Sequence, residues 1–140
     1  MIKITKMITW ILLPLLIVAC ATTQQRLLES DTSQVKLRSI QTRVFDTTDK
    51  QKMLRTIIAT LQDLGFVIDK ADLDLGTISA TKLNRYALRM TVTVRRRGEK
   101  QLLVRANAQF GIEPVYDPVP YQNFFNSLKK ALFLEAQPVE

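Results

Sequence analysis

The sequence has no histidine, and its 140 residues include only one cysteine and one tryptophan. Without histidine, the commonest general base and the commonest metal ligand are both missing. A lone cysteine excludes an internal disulfide, a Cys-x-x-Cys redox pair and a thiolate zinc cluster. The length allows one ordinary domain and excludes a multidomain enzyme. Ser39, Ser79 and Ser127 have no imidazole to activate them, nothing positions a Ser–Lys pair, and the acids fall in caps and turns. Paired-carboxylate chemistry needs two acids converging in a cleft. The sequence therefore points to no catalytic residue, no cofactor and no resident metal.

A long hydrophobic run is also lacking. Ile8–Val18 is almost wholly apolar but is interrupted by Pro14, and a bilayer core takes about 20 residues of helix. Lys3 and Lys6 precede the run, no acid does, and Ala19-Cys20 follows it. A basic n-region, a short apolar h-region and a small residue at the end form a secretory signal peptide rather than a transmembrane anchor. The expected organisation is a leader over 1–19, Cys20 with a flexible tether to residue 34, and a single domain over 35–140.

Ile17-Val18-Ala19-Cys20 resembles the lipobox of bacterial lipoproteins. The resemblance implies that the Cys20 thiol takes a diacylglyceryl group, that the leader is cut before it, and that the new α-amine is acylated. Two or more acyl chains hold a protein stably on its membrane. Ala21, where an Asp would retain such proteins on the inner membrane, is similar to the pattern of lipoproteins released to the outer membrane. That implies a domain on its periplasmic face. Ala21–Gln34 is rich in Thr, Gln and Ser and reads as the tether, reaching at most ~50 Å when extended.

Beyond it, Lys36–Phe45 is a strand candidate, with Ile40, Thr42 and Val44 on one parity. Thr48 with Gln51 fits a capping box, and Asp49 suits the positive end of a helix dipole. Leu54, Ile57, Ile58, Leu61 and Leu64 then form one apolar stripe, which Gly65 closes as the residue after the cap. Phe66–Ile68 reads as a short strand, Asp69–Leu75 as an acidic turn, and Thr77–Leu83 as β-rich. In Tyr86–Arg97, Tyr86, Leu88, Met90, Val92 and Val94 face one way; Arg85, Arg89, Thr91, Thr93, Arg95 and Arg97 face the other. Gly98 turns the chain and Gln101–Phe110 alternates again, which makes a hairpin. Gly111–Pro120 reads as loop, Asp117 before Pro118 suits a helix start, and Tyr121, Phe124, Phe125, Leu128 and Leu132 form a second stripe. The order β-α-β-β-β-β-α predicts an α+β domain of two layers, an antiparallel sheet with both amphipathic helices on one face.

Leu61-Gln62-Asp63-Leu64-Gly65-Phe66-Val67-Ile68-Asp69, followed by Gly76-Thr77-Ile78, resembles the core of helix-grip domains. These occur in the BamC lipoprotein of the outer-membrane β-barrel assembly machinery. Gln41–Lys82 is also similar to short uncharacterised Gram-negative lipoproteins that share a Phe-Asp-Thr-Thr-Asp helix start. The resemblance implies a helix-grip-like fold.

Three features qualify as sites. Arg85, Arg89, Arg95, Arg97 and Arg105 share the open face of the sheet with Thr91 and Thr93. Arg forks bind carboxylate and phosphate bidentately, so this face is available to an acidic partner or anionic headgroups; its alternative is a solvated face protected from edge pairing. The 20 Lys and Arg outnumber 13 Asp and Glu, for a net charge of +7, which would suit nucleic acid; an exported, anchored domain rarely meets it. Asp69, Asp72 and Asp74 suggest a calcium loop, but position 12 counts to Ala80 or Leu83 where a Glu is needed. Tyr121, Phe124, Phe125 and Phe133 are either core or the lining of a lipid pocket. The expectation is a non-catalytic accessory or scaffolding subunit of an envelope protein assembly, with a small lipid-binding or lipid-transfer module using the helix–sheet cleft as the alternative.

Cys20→Ser is expected to leave the domain folded and abolish membrane retention. Fractionation checks this, and a variant that still sediments with membranes refutes the anchor.

Overall fold

The computed structural model describes residues 33–84 and 86–135. The leader, Cys20 and most of the expected tether lie outside them, as does Arg85. The chain divides into Met1–Leu37 and Arg38–Glu140. Of the first unit only residues 33–37 are described, and they are helical.

In chain order the elements are α1 (residues 33–41), β1 (Thr42–Phe45), α2 (Lys50–Asp63), β2 (Val67–Asp72), β3 (Thr77–Asn84), β4 (Tyr86–Arg97), β5 (Gln101–Phe110), β6 (Glu113–Pro114) and α3 (Val119–Glu135). The fold is α+β. One antiparallel sheet runs β1-β5-β4-β3-β2, and β6 also pairs with β5. The strand expected over Lys36–Phe45 is thus helix for its first half. Gln34, Lys36, Leu37 and Arg38 are good helix formers, and only Thr42–Phe45 keeps the extended pairing. The helix also takes in residues 33–34, the last of the expected tether.

Helix α2 starts one residue later than a Thr48 cap would set it. Asp49 is the N-cap, its carboxylate accepting from the Lys52 amide at 2.9 Å, so Gln51 is too early to close a capping box. At the other end the Gly65 amide donates to Gln62 O and the Phe66 amide to Leu61 O, both at 2.9 Å. This is a Schellman termination; Gly65 takes φ 83°, and Phe66 folds back buried on the last turn. Met53, Leu54, Ile57 and Leu61 are fully buried, while Ile58 and Leu64 are only half-buried. Thr56 and Thr60 are buried instead. Their hydroxyls donate to the carbonyls of Lys52 (2.9 Å) and Thr56 (2.7 Å), the back-bonding by which a helix accommodates a buried hydroxyl.

Along β3, β4 and β5 the even-numbered side chains Ile78, Ala80, Met90, Val92, Val94, Leu102, Val104, Ala106 and Ala108 are buried. They meet the stripes of α2 and of α3, where Tyr121, Phe124, Phe125 and Leu128 are buried. Both helices lie on this one face. Strand β2 runs on to Asp72 through a bulge between Ile68 and Lys70, so Asp69 and Asp72 are strand residues and the turn is shorter than the sequence suggests.

Two lysines tie α2 to the sheet. Lys50 Nζ donates to Asp74 O at 2.8 Å across Gly76, and Lys82 Nζ donates to Leu64 O at 2.7 Å, at the helix's negative end. On the other edge of β5, β1 and β6 leave a gap that Tyr121 fills. Its hydroxyl donates to Val115 O (2.8 Å) and accepts from the Ala108 amide (3.3 Å) and Gln41 Nε2 (3.4 Å). Among the described residues no buried side-chain N or O is left without a partner.

Gly76 has φ +75°, and an added Cβ would lie 2.7 Å from Val94 O and 2.6 Å from Lys50 Cε; at Gly65 the nearest atom is Lys82 Cε at 3.6 Å. Gly65→Ala is expected to cost about 1–2 kcal/mol for the left-handed backbone. Gly76→Ala is expected to cost more, about 3 kcal/mol, because overpacking adds to it. Urea unfolding of the two variants checks the ranking. In the same assay Tyr121→Phe is expected to lose about 1–3 kcal/mol, since Val115 O and the Ala108 amide lose their partner in a buried gap.

Candidate functional site: the open face of the sheet

The odd-numbered side chains of β3, β4 and β5 form the face opposite the helices. Antiparallel pairing sets Thr81, Ser79 and Thr77 beside Arg89, Thr91 and Thr93. On the other side of β4, Arg89 pairs with Gln109, Thr91 with Asn107, Thr93 with Arg105, Arg95 with Leu103 and Arg97 with Gln101. Arg89, Arg95, Arg97 and Arg105 are exposed, and Thr91 and Thr93 are half-buried between them. The hydroxyls of Ser79 and Thr91 are 3.3 Å apart, within hydrogen-bond distance. The centre of the face is therefore a floor of short hydroxyl side chains from which the guanidinium groups rise.

The arginines fall into two groups. Arg105 lies diagonal to Arg95, roughly 7–8 Å away in a sheet of this kind, and Arg97 is the next residue of that parity. Arg89 lies about 20 Å up the strand, beside Gln109. Arg85, expected on the same face, lies outside the described residues. Arg96 and Lys100 were not anticipated as part of the site. Both are exposed, Lys100 in the turn and Arg96 in β4 opposite Leu102 on the other face, which carries the basic group around the hairpin end. The unbroken run Arg95-Arg96-Arg97 was the signal for it. Carboxylates near this end are Glu99 in the turn and Asp46, which accepts from Gln101 Nε2 at 2.6 Å. Among the described residues, no acid pairs with Arg89, Arg95, Arg97 or Arg105 within 4.0 Å.

The other two features take local roles. Asp69 accepts from the Thr81 hydroxyl at 2.6 Å, and Asp72 accepts from the Leu75 amide at 2.8 Å. The acids of this segment thus close a bulge and a turn, and among the described residues no group of three acids or cysteines is placed to hold a metal. Of the aromatic residues, Tyr121 and Phe124 are fully buried and Phe125 nearly so. The Phe124 and Phe125 rings meet edge to face at 5.1 Å, and the Arg43 guanidinium sits 5.2 Å from the Phe125 ring centre. Phe133 departs from this group: it is 63% exposed. It borders a shallow cleft of about 350 Å³ with Leu132, Phe45, Thr47, Asp49 and Met53.

Compared with known proteins, the chain matches no family model and no curated sequence. Among the described residues, no helix is long and apolar enough to cross a membrane.

Arginines that rise from the sheet into water without acidic partners contribute little to the fold. Arg89→Ala, Arg95→Ala, Arg97→Ala and Arg105→Ala are each expected to change unfolding free energy by no more than about 0.5 kcal/mol. Thermal or urea unfolding checks this; a loss well beyond that range would make the arginine a brace rather than a free contact group.

Proposed function

We propose that the protein is a non-catalytic lipoprotein of the bacterial cell envelope. On this reading acyl chains on Cys20 hold it to the periplasmic face of the outer membrane, and it serves as an accessory or scaffolding subunit by docking an acidic protein partner. The observation that carries the docking is the asymmetry of the sheet. One face is closed by two helices; the other presents Arg95, Arg97 and Arg105 in water without acidic partners among the described residues. Desolvating an unpaired guanidinium is unfavourable unless a carboxylate or phosphate meets it, and the planar fork meets either bidentately. The surrounding Thr and Ser hydroxyls add neutral donors and acceptors. The anchoring half rests on the lipobox resemblance at Ile17-Val18-Ala19-Cys20.

The lipid-binding alternative needs space between helix and sheet. Ile57, Leu61, Met90, Val92, Phe124 and Leu128 are 0–1% exposed there. That interface is filled, so no specific observation favours the alternative.

Affinity purification from detergent-solubilised envelopes is expected to recover a stoichiometric acidic protein. Arg95→Glu with Arg105→Glu is expected to cut the yield at least tenfold, a coupling of about 1.4 kcal/mol. Arg89→Glu, remote from that pair, is expected to cut it less. Raising ionic strength is expected to weaken capture by the native chain, since exposed charge pairs are screened. A yield indifferent to both charge reversal and salt would refute docking through this face.

A further inference from the structure

At the end of the sheet away from the arginine hairpin, the exposed large side chains among the described residues are apolar, and Lys82, opposite Leu88, is turned to Leu64 O. Leu83 stands opposite Ala87 on the open face, and Leu88 stands opposite Phe110 on the helix-side face. Ile112 follows in the turn to β6. Leu83 is 81% exposed, Ile112 90% and Phe110 46%. This is a projecting tip with large apolar side chains on both faces of the strands, rather than a groove or a flat patch. Arg89 lies one residue pair behind it on the open face. Glu113 pairs in register with Phe110, and Asp69 is held by the Thr81 hydroxyl.

We propose that this tip is a second membrane contact. Leu83, Leu88, Phe110 and Ile112 enter the boundary between headgroups and acyl chains of an anionic leaflet, and Arg89 meets lipid phosphate. A bilayer interface accepts apolar side chains from every side of a projection while the cation behind them stays at headgroup level. The choice of a bilayer rests on the anchoring reading above. The segment between Cys20 and α1, residues 21–32, reaches about 43 Å at most and keeps the membrane always within reach, so a contact too weak to bind from solution is sufficient once the chain is leashed. Strand β4 has 12 residues, about 40 Å in length. With one end seated in the leaflet, the Arg95–Arg97 end stands clear of the membrane and open to a protein partner.

The chain's one tryptophan is Trp10, so Trp10→Phe with Ile112→Trp places a single reporter at the tip. The protein as isolated from cell-envelope membranes is reconstituted into phosphatidylcholine–phosphatidylglycerol vesicles. Its emission is read against acrylamide and against lipids brominated near the headgroup or near the chain ends. Roughly half of the emission is expected to be lost to the shallow bromines and less to the deep ones, with little loss to acrylamide. Glu99→Trp in the Trp10→Phe background, at the opposite end of β4, is expected to show acrylamide quenching alone. A position-112 reporter as open to acrylamide as that control overturns the proposal. So does a reporter shielded from acrylamide and untouched by bromine, because a second copy or another protein would then cover the tip. Leu83→Trp replaces Ile112→Trp should the latter fail to fold. The mass at position 20, measured on the same sample, is a separate readout: an acylated chain with an unquenched tip refutes this contact alone, and an unmodified Cys20 refutes the anchor alone.

Discussion

The two-residue alternation of β4 and β5 is the constraint on which the molecule depends. Even positions from Met90 to Val94 and from Leu102 to Ala108 are sealed under α2 and α3. Odd positions carry Arg89, Arg95, Arg97 and Arg105. A slip of one residue would exchange the faces and drive four guanidinium groups into the core, each at an effective cost of several kcal/mol. The arginines thus fix the register even though each contributes little to the stability of the register it fixes. A solvated face would serve that end, but it would not require three of them to gather at one hairpin with Arg96 and Lys100.

The sheet's edges are closed by different means. On the β2 side the strand is bulged between Ile68 and Lys70 and carries Lys70, Asp69 and Asp72, a combination that discourages pairing with another chain. On the β5 side two short strands cover most of the edge, and Tyr121 from α3 supplies the missing hydrogen bonds through one hydroxyl. Phenol is the side chain suited to that gap: an apolar ring buried among Phe124 and its neighbours, with a polar end that donates once and accepts twice. With the β2 edge guarded by charge and a bulge and the β5 edge covered, the sheet leaves its open face and its two ends for contact.

Most of this architecture was legible in the sequence because the signal was periodic. The stripe from Leu54 to Leu61, the Leu64-Gly65-Phe66 termination, the alternation of β4 and β5, and the aromatic spacing of α3 each follow from local geometry. What was not legible depends on partners distant in sequence. The β-branched parity of Ile40, Thr42 and Val44 also fits a helix ending at residue 41 with a four-residue strand after it. Nothing local distinguishes Thr48 from Asp49 as the cap; the choice follows from where the chain leaves β1. Thr56 and Thr60 read as polar, but helices on a sheet bury a wider arc than one stripe, and a back-bonded hydroxyl tolerates burial. Strand β6 is two residues long and includes a proline, below any periodic signal. Of the site, the arginine parity was legible, whereas its division into a cluster and an outlying Arg89 required the register of β5. Phe133 had the helical spacing of its neighbours, yet it lies past the end of the buried surface.

The open face is polarised along β4, and this bears on the proposed role more than the total charge does. A net charge of +7 spread evenly would raise encounter rates with any anion and select none. Here the cations concentrate at the Arg95–Lys100 end, where the β2–β3 turn also exposes Leu73 and Leu75, while Leu83, Phe110 and Ile112 are exposed at the other end, with neutral hydroxyls between. A body whose cations gather at one end has a preferred orientation at a charged interface. Under the proposed anchoring, acyl chains on Cys20 would set how far the domain can stand from the bilayer. On that proposal, the charge gradient along β4 is the feature of this sheet suited to orient the domain.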